Sequence, residues 1–529
     1  MDNRTVIAVV LSFLVIVGSQ YLFPGEPQKP TEQKSAEQQP APETAKKDPV
    51  QKTEIPKTVA GTIEEKDIKE VVVENDLFIA VLSSRGGTIK SWTLKPYKDK
   101  AGKEVVLLRK PGVVPAIGTG TSSSFDLANV NFSVIGRNLR LDAANKTGSL
   151  VFEYAKDGKS IRRTYTFSAG TYLVELADEV SGFPEYWITL GSDFGIFEKD
   201  DSIHVGPTVL TGTNLKDLPG KDLKEPKSFQ ENLKWIVQQD KYFFSALVPA
   251  TAVEEARAFM VQDAPVVAFK TKSGLNKFHL YAGPKEDDRL AALNIGLEHV
   301  IDFGFFSIVA RPLFWVLKLF YQFLGNYGWA IVLITIVTRI PFIPLMTKSQ
   351  KSMKKLQEIQ PLMNEIKEKY KKDPQKQQAE MMGLYKKHKV SPLGGCLPML
   401  LQIPVFLALY QVLLRAIELR GAPFMLWITD LSGPDTLFGH IPAALPLIGG
   451  LALGPLPLLM GATMFIQQKM TPSTMDPAQA KMMLLMPIVF TFVFLNMASG
   501  LVLYWLIGNV LGIIQQFFVN RSLANESAH

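Results

Sequence analysis

Ala330-Ile331-Val332-Leu333-Ile334-Thr335-Ile336-Val337-Thr338-Arg339-Ile340 sets one cation inside an otherwise apolar run. As a helix, the surrounding residues 328–346 extend about 28 Å. That is close to the roughly 30 Å of a bilayer's hydrocarbon core. The stretch therefore reads as a membrane span with an arginine inside it. A charge near mid-membrane costs about 2.5–3.5 kcal/mol on insertion scales. The next cation, Lys348, lies nine residues on. That distance is about 13 Å of helix, and an arginine side chain snorkels only part of it. Two readings stay open. Either Arg339 snorkels into a locally thinned bilayer, or it faces a water-filled cavity in a helix bundle. Thr335 lies one turn away on the same face, and Thr338 is adjacent. Gln402, Gln411 and Glu418, in or near the following span, are further polar groups able to line a cavity. A cation in such a wet recess would attract acidic residues of a passing polypeptide.

Outward from this span, residues 326–347, the same apolar character recurs at 392–415, 445–467, 482–498 and 500–519. In the run at 482–498, Met482–Asn496 is about 15 residues and makes only about 22 Å of helix. A span that short thins the membrane locally or tilts within the bundle. At the amino end, residues 6–23 form another apolar run, preceded by Arg4. It ends in bulky Tyr21-Leu22-Phe23 rather than a small-residue cleavage site. This favours an uncleaved anchor over residues 1–23 rather than a signal peptide. Six spans are expected, with a cytoplasmic amino terminus.

The segment at 348–391 lies in a stretch that carries twelve lysines from Lys348 to Lys389, including Lys354 and Lys355. Such a concentration belongs on the cytoplasmic side. Met353, Leu356, Ile359, Met363, Ile366 and Tyr370 recur at helical spacing, with Met382 and Tyr385 on the return. Asp373-Pro374 marks a turn. The alternatives are an antiparallel helical hairpin, kinked at Pro361, or a solvated charged loop. A hairpin would serve as a docking arm for nascent chains or anionic lipid. Residues 416–444 and 468–481 then form the outer and inner loops, and 520–529 a short inner tail. Residues 301–325 are aromatic and amphipathic, interrupted by Arg311-Pro312 and Lys318. That pattern suits a helix lying in the interface plane, with a true span as the alternative.

Between anchor and bundle, residues 24–66 are rich in Pro, Lys and Glu and read as a flexible tether. Residues 67–300 switch to short alternating runs: Val71–73, Phe78 to Leu82, Thr88 to Trp92, Leu150 to Tyr154, and Ile161 to Phe167. Asn75-Asp76, Arg85-Gly86-Gly87 and Asp157-Gly158 divide them. This is the pattern of an antiparallel all-β sandwich, closed by a helix over 286–300. With one anchor and an inside amino terminus, the domain falls on the outer side of the membrane.

No catalytic constellation, metal motif or cofactor loop is found, so the chain is not read as an enzyme. The six histidines are scattered, and none makes an H-E-x-x-H pair. The one cysteine, Cys396, excludes an intrachain disulfide and reads as a buried thiol in a helix. The net charge of +7 comes with lysines beside apolar spans. This points to anionic lipid rather than to nucleic acid. A polytopic solute or ion transporter is the alternative reading, because intramembrane charges also mark ion pathways.

Several stretches together resemble the YidC/Oxa1/Alb3 membrane protein insertase family in its Gram-negative YidC form. They are Ser391-Pro392-Leu393-Gly394-Gly395-Cys396-Leu397-Pro398, Gln402-Ile403-Pro404-Val405-Phe406-Leu407-Ala408-Leu409-Tyr410, Glu418-Leu419-Arg420 with Pro423-Phe424, Gln468-Lys469-Met470, and Ser499-Gly500-Leu501-Val502-Leu503-Tyr504. The resemblance implies a multi-domain fold: an α-helical transmembrane bundle, a periplasmic β-supersandwich and a cytoplasmic helical hairpin. It implies a chaperone and insertase for membrane proteins, acting alone or with the Sec translocon. Arg339 matches the family's groove arginine, with Thr335, Gln402, Tyr504 and Trp505 beside it. Phe406, Met460 and Met464 are expected on an apolar slide for the incoming helix. Lys354, Lys355, Tyr370 and Tyr385 are expected to act from the hairpin. The implied partners are nascent membrane proteins, the Sec translocon with its accessory proteins, the ribosome and the lipid bilayer. Two departures stand out. Trp505 replaces the second tyrosine of a Tyr-Tyr pair, so one hydroxyl is absent. The tail after Arg521 is short and barely basic, which argues against tail-mediated ribosome contact.

Overall fold

The computed structural model describes residues 68–99, 101–109, 112–198, 203–388, 390, 397–443, 449–470 and 477–526. The expected anchor, tether and Cys396 lie outside these residues. The chain divides into two compact units, meeting at Val300 and Ile301.

Over its described residues the first unit is all-β apart from short helical turns and holds three sheets. A nine-stranded sheet runs in the order 214–217, 206–211, 233–239, 243–249, 274–284, 173–181, 159–168, 147–156 and 133–135. A five-stranded sheet is built on Glu70–Glu74, Phe78–Ser83 and Thr88–Lys98. The other five-stranded sheet is built on Tyr186–Thr189, Glu255–Val261 and Ala264–Thr271. Among the described strands one pairing is parallel, Glu70–Glu74 with Leu139–Arg140; the rest are antiparallel. The expected hairpin at Asp157-Gly158 is present. Both residues have positive φ, 53° and 73°, and Lys156 pairs with Lys159. Such a two-residue turn matches the twist of its flanking strands.

Aromatic side chains tie the sheets together. Phe78 stacks on Trp92 at 4.1 Å and meets Phe167 of the large sheet at 6.4 Å. Phe269 stacks on Phe278 at 6.2 Å. At the centre lies a fully buried charge. Arg163 donates to both carboxylate oxygens of Asp178 at 2.8 Å, to the Ile117 carbonyl at 2.6 Å and to the Gly87 carbonyl at 3.3 Å. The Tyr186 hydroxyl donates to Asp178 at 2.5 Å, and the Tyr165 hydroxyl to the Gly87 carbonyl at 2.8 Å. Burial opposes the Arg163 charge most, but Asp178, Tyr186 and Tyr165 together outweigh it and hold the guanidinium well above its ordinary pKa.

The helix expected over 286–300 is instead two short pieces, α1 (Asp287–Ala292) and a 3-10 turn at Leu297–Val300. Asn294 and Gly296 take positive φ, 54° and 78°, which a continuous helix does not allow.

The second unit is helical. It contains α2 (Ser307–Leu324), α3 (Tyr327–Arg339), α4 (Ile343–Glu358), α5 (Gln360–Lys369), α6 (Pro374–Lys387), α7 (Leu397–Arg415), α8 (Pro455–Met470), α9 (Pro477–Phe494) and α10 (Ser499–Glu526). Among the described residues, three stretches are long and apolar enough to cross a membrane: Gly304–Leu324, Tyr327–Glu358 and Ser499–Ser522. Gln402–Arg415 and Leu484–Phe494 are shorter apolar helices. Of the span expected over 445–467, the first residues lie outside those described, 449–454 are not helical, and the helix runs from Pro455. Gly450, at φ 83°, and Gly454 precede it, and buried Asp435 accepts from Leu456 N at 2.8 Å at the helix start. A side-chain oxygen there satisfies an otherwise orphaned helix N–H.

α4 ends where Pro361 begins the next helix, and α5 and α6 pack against each other. Asp373 caps α6 by accepting from Lys376 N at 3.1 Å. Leu356, Ile359, Met363 and Val390 form the buried seam, with Met353, Met381, Leu384 and Tyr385 against it. Met381 takes the position expected of Met382, which is exposed. On α2, Ala310, Phe314 and Leu317 are buried while Ile308 and Trp315 are 88% and 60% exposed.

Candidate functional site

Asn326 caps α3, accepting from Trp329 N at 3.2 Å and donating to the Pro423 and Phe424 carbonyls. The helix then runs through Thr335 to Arg339. A 3-10 turn at Ile340–Phe342 follows, containing Pro341, whose ring removes a backbone donor. Arg339 thus sits where α-helical geometry breaks. Thr335 is 1% exposed and its hydroxyl donates to the Ile331 carbonyl at 2.6 Å. Thr338 does the same to Ile334 at 2.7 Å. Both hydroxyl protons are therefore used on their own helix.

The Arg339 guanidinium turns toward the last helix. Its Nε and Nη1 are buried and have no hydrogen-bond acceptor among the described residues. Tyr504, on α10, lies within reach of its charge, and the Gln402 amide from α7 hydrogen-bonds to the Tyr504 hydroxyl. Of the residues the sequence set beside Arg339, Tyr504 and Gln402 come together across helices, while Thr335 is bonded within its own helix. Gln411, also considered, is used elsewhere: its carbonyl oxygen accepts from Arg415 Nε at 3.0 Å on its own helix.

An aromatic cluster borders the polar groups. Phe406 stacks on Tyr504 at 6.3 Å and meets Trp505 edge-on at 4.7 Å. Trp505 contacts Phe490 at 5.8 Å and Phe494 at 5.1 Å, so α7, α9 and α10 share one aromatic surface. Phe490 and Phe494 were missed in the sequence, although their i,i+4 spacing places them on one face. Met464 is half-buried on α8. Met460 is completely buried and its carbonyl accepts from Asn509 at 3.3 Å. Beyond this cluster, Lys354 is half-buried and Lys355 exposed. Tyr370 has the Lys369 and Lys376 ammonium groups over its ring at 5.5 and 5.4 Å, and Tyr385 packs on the seam. Sequence reasoning also missed Gly508, Gly512 and Gln467, which stand beside the Arg339 guanidinium. Among the described residues, no group of three His, Cys, Asp or Glu side chains is placed to hold a metal.

An all-β domain joined to a helical unit with membrane-length apolar helices defines a polytopic membrane protein with a large extramembrane domain. A model of the YidC periplasmic domain matches residues 70–316, and one described as 60Kd inner membrane protein matches 319–526. The chain is 41% identical to the membrane protein insertase YidC of Pelobacter propionicus, over 98% of this chain and 99% of that one. It is 40% identical to that of Geotalea daltonii, over 99% and 100%. A crystal structure of an active YidC insertase with its first transmembrane domain resolved aligns over 97% of this chain and 99% of that one. Its TM-score is 0.36 and its identity 17%. The chain belongs to the YidC family of membrane protein insertases. It is an inner-membrane protein with a periplasmic β domain, and the transporter reading is set aside.

Proposed function

We propose that Arg339, Gln402 and Tyr504 form the polar recess of the insertase, and that Phe406, Trp505, Phe490 and Phe494 form the surface along which a cargo helix leaves for lipid. The observation that carries this reading is the Arg339 guanidinium, with buried Nε and Nη1 unmatched by any described acceptor. A desolvated cation gains strongly from a carboxylate partner. The hydrophilic flank of a cargo supplies one if it carries Asp or Glu. The cargo's apolar helix then moves out, driven by roughly 25 cal/mol per Å² of apolar surface leaving water. The membrane potential adds about 2.3 kcal/mol per elementary charge per 100 mV. No nucleotide and no covalent step is needed. Thr335 shapes the helix that presents Arg339, and Met464 extends the slide. Met460, fully buried, reaches cargo only if α8 moves.

In the same reading the bundle crosses six times, counting the anchor at 1–23. The amino terminus and the lysine-rich helices α4 to α6 face the cytoplasm. Those helices dock nascent chains and anionic headgroups, with Lys354 and Lys355 supplying charge and Tyr370 and Tyr385 the apolar contact. Helix α2 lies in the interface plane: Arg311 stands between Ile308 and Trp315 on its exposed side. The Sec translocon with its accessory proteins and the ribosome are the assembly partners.

The test uses the full-length protein in proteoliposomes and two single-span cargos that differ only in an acidic or neutral translocated segment. Arg339→Ala is expected to lower insertion of the acidic cargo about tenfold, equivalent to about 1.4 kcal/mol, and of the neutral cargo less than about twofold. Arg339→Lys is milder, because the charge stays while the planar fork is lost. Equal losses for both cargos reject the charge-attraction role.

A further inference from the structure

The Arg339 guanidinium rests on α10 at two bare positions. A Cβ added to Gly508 would stand 3.5 Å from Nη2. One added to Gly512 would stand 3.4 Å from Nη1 and 2.5 Å from Nε2 of Gln467. These glycines are four residues apart, so they lie one above the other on one helix face. Amides on either side hold α10 in place. Asn509 donates to the Met460 carbonyl at 3.3 Å, and Gln516 donates to the Met470 carbonyl at 3.0 Å. The Gln516 carbonyl oxygen accepts from Gln350 Nε2 at 3.1 Å, and Gln515 donates to the Ile343 carbonyl at 3.2 Å. The last helix is thus tied to α8 and α4 while its glycine face meets the cation.

We infer that Gly508 and Gly512 are positioning residues for the recess arginine. They form a berth free of side chains that holds the guanidinium beside Tyr504 and leaves Nε and Nη1 for cargo. This inference rests on the recess reading above. Filling the berth displaces the cation without removing its charge.

Two arms test it in the intact, reconstituted protein. In the first, Gly512→Leu is expected to lower the acidic-to-neutral cargo ratio about fivefold. In an Arg339→Ala background it changes that ratio less than about twofold, because residues acting as a unit are non-additive. Gly461→Ala supplies the contrast. Its Cβ would meet Thr491 Oγ1 at 2.0 Å, so it disturbs helix packing, affects both cargos alike and compounds with Arg339→Ala. A Gly512→Leu defect that ignores cargo charge, or that compounds with Arg339→Ala, overturns the berth.

The second arm needs no cargo. Gly512→Asp places a carboxylate within reach of Nη1, and its Cβ displaces only the flexible end of Gln467. The pair is tolerated with Arg339 present. In Arg339→Ala the same aspartate is buried without a cation, and Tm should fall by at least about 6 °C beyond either single change. Equal Tm effects of Gly512→Asp in the two backgrounds overturn the berth. A flat cargo ratio for Arg339→Ala, with the Tm coupling intact, overturns the charge-attraction reading and leaves the berth standing.

Discussion

Arg163 and Arg339 are two buried guanidiniums serving opposite ends. In the β domain, Arg163 is completely buried, and its Nε, Nη1 and Nη2 all have partners: Asp178, the Gly87 and Ile117 carbonyls, and Tyr186. In the helical unit, Arg339 keeps Nε and Nη1 without an acceptor among the described residues. Removing an ion from water costs several kcal/mol, offset only by good geometry and further hydrogen bonds. The first arginine meets that condition within its own chain and so fixes a fold. The second leaves it to be met from outside, which is what a binding group requires. Burial alone does not separate the two roles; the state of the donors does.

The widest separation comes from making the same change at both positions. Arg163→Met leaves Asp178 buried without its cation and should cost about 3–5 kcal/mol of β-domain stability. Arg339→Met removes a cation that has no carboxylate partner to strand, so its stability cost should stay under about 1 kcal/mol. Denaturant unfolding of the intact protein, followed by β-sheet circular dichroism and by helix signal, reads both. Arg163→Met with Asp178→Leu should recover most of the loss, since an apolar replacement of both partners is often neutral. An Arg163→Met protein as stable as the parent would sink the contrast.

The sequence exposed these two regions unequally. The strands around Asp157-Gly158 were legible because turn chemistry and alternation act over a few residues. Arg339 was legible because a cation in an apolar run violates a strong local rule. Arg163 was not singled out: in a strand reading Arg162-Arg163-Thr164, nothing local says which arginine points inward. Its partners Asp178 and Tyr186 are 15 and 23 residues away, brought together by sheet pairing. Gly508 and Gly512 were silent for a similar reason. A glycine in an apolar helix carries no sign of the neighbour it makes room for. The non-helical approach to α8 at 449–454 was hidden because the sequence there is as apolar as the helix that follows, and Asp435, its distant cap, lies outside it.

A smaller effect probes the closed side of the comparison. Burial is the first cause that pushes the phenols of Tyr165, Tyr186 and Tyr281 up, Tyr186 well above its ordinary value with Asp178 adding to the rise. For Tyr165 the Arg163 charge pulls part of the way back. An unfolded phenol titrates near about 10. With the folded pKa raised, the folded chain keeps its proton after the unfolded chain has lost it. The stabilisation is therefore complete below about pH 10 and is lost as pH rises toward the folded values. Each unit above that point should remove up to about 1.4 kcal/mol per buried phenol. The chain has fourteen tyrosines, so the reading is the phenolate absorbance that single Tyr165→Phe, Tyr186→Phe and Tyr281→Phe variants remove: that share should appear only together with loss of the β-sheet signal. Its appearance near pH 10 with the sheets intact would contradict the burial argument.

The finest test lies on the open side. Tyr504 joins the polar recess to the aromatic surface, with the Gln402 amide on its hydroxyl and Phe406 stacked on its ring. Tyr504→Phe removes the hydroxyl and keeps the stack. A neutral hydrogen bond is worth about 0.5–1.5 kcal/mol net, so acidic-cargo insertion should fall about threefold, less than in Arg339→Ala. Phe406→Ala removes apolar surface instead, where Trp505 also packs. It should slow both cargos to the same degree, because an apolar contact does not read charge. The two variants thus divide recess from slide. If Tyr504→Phe proves as blind to cargo charge as Phe406→Ala, Tyr504 belongs with the aromatic surface, and the polar recess shrinks to Arg339 and Gln402.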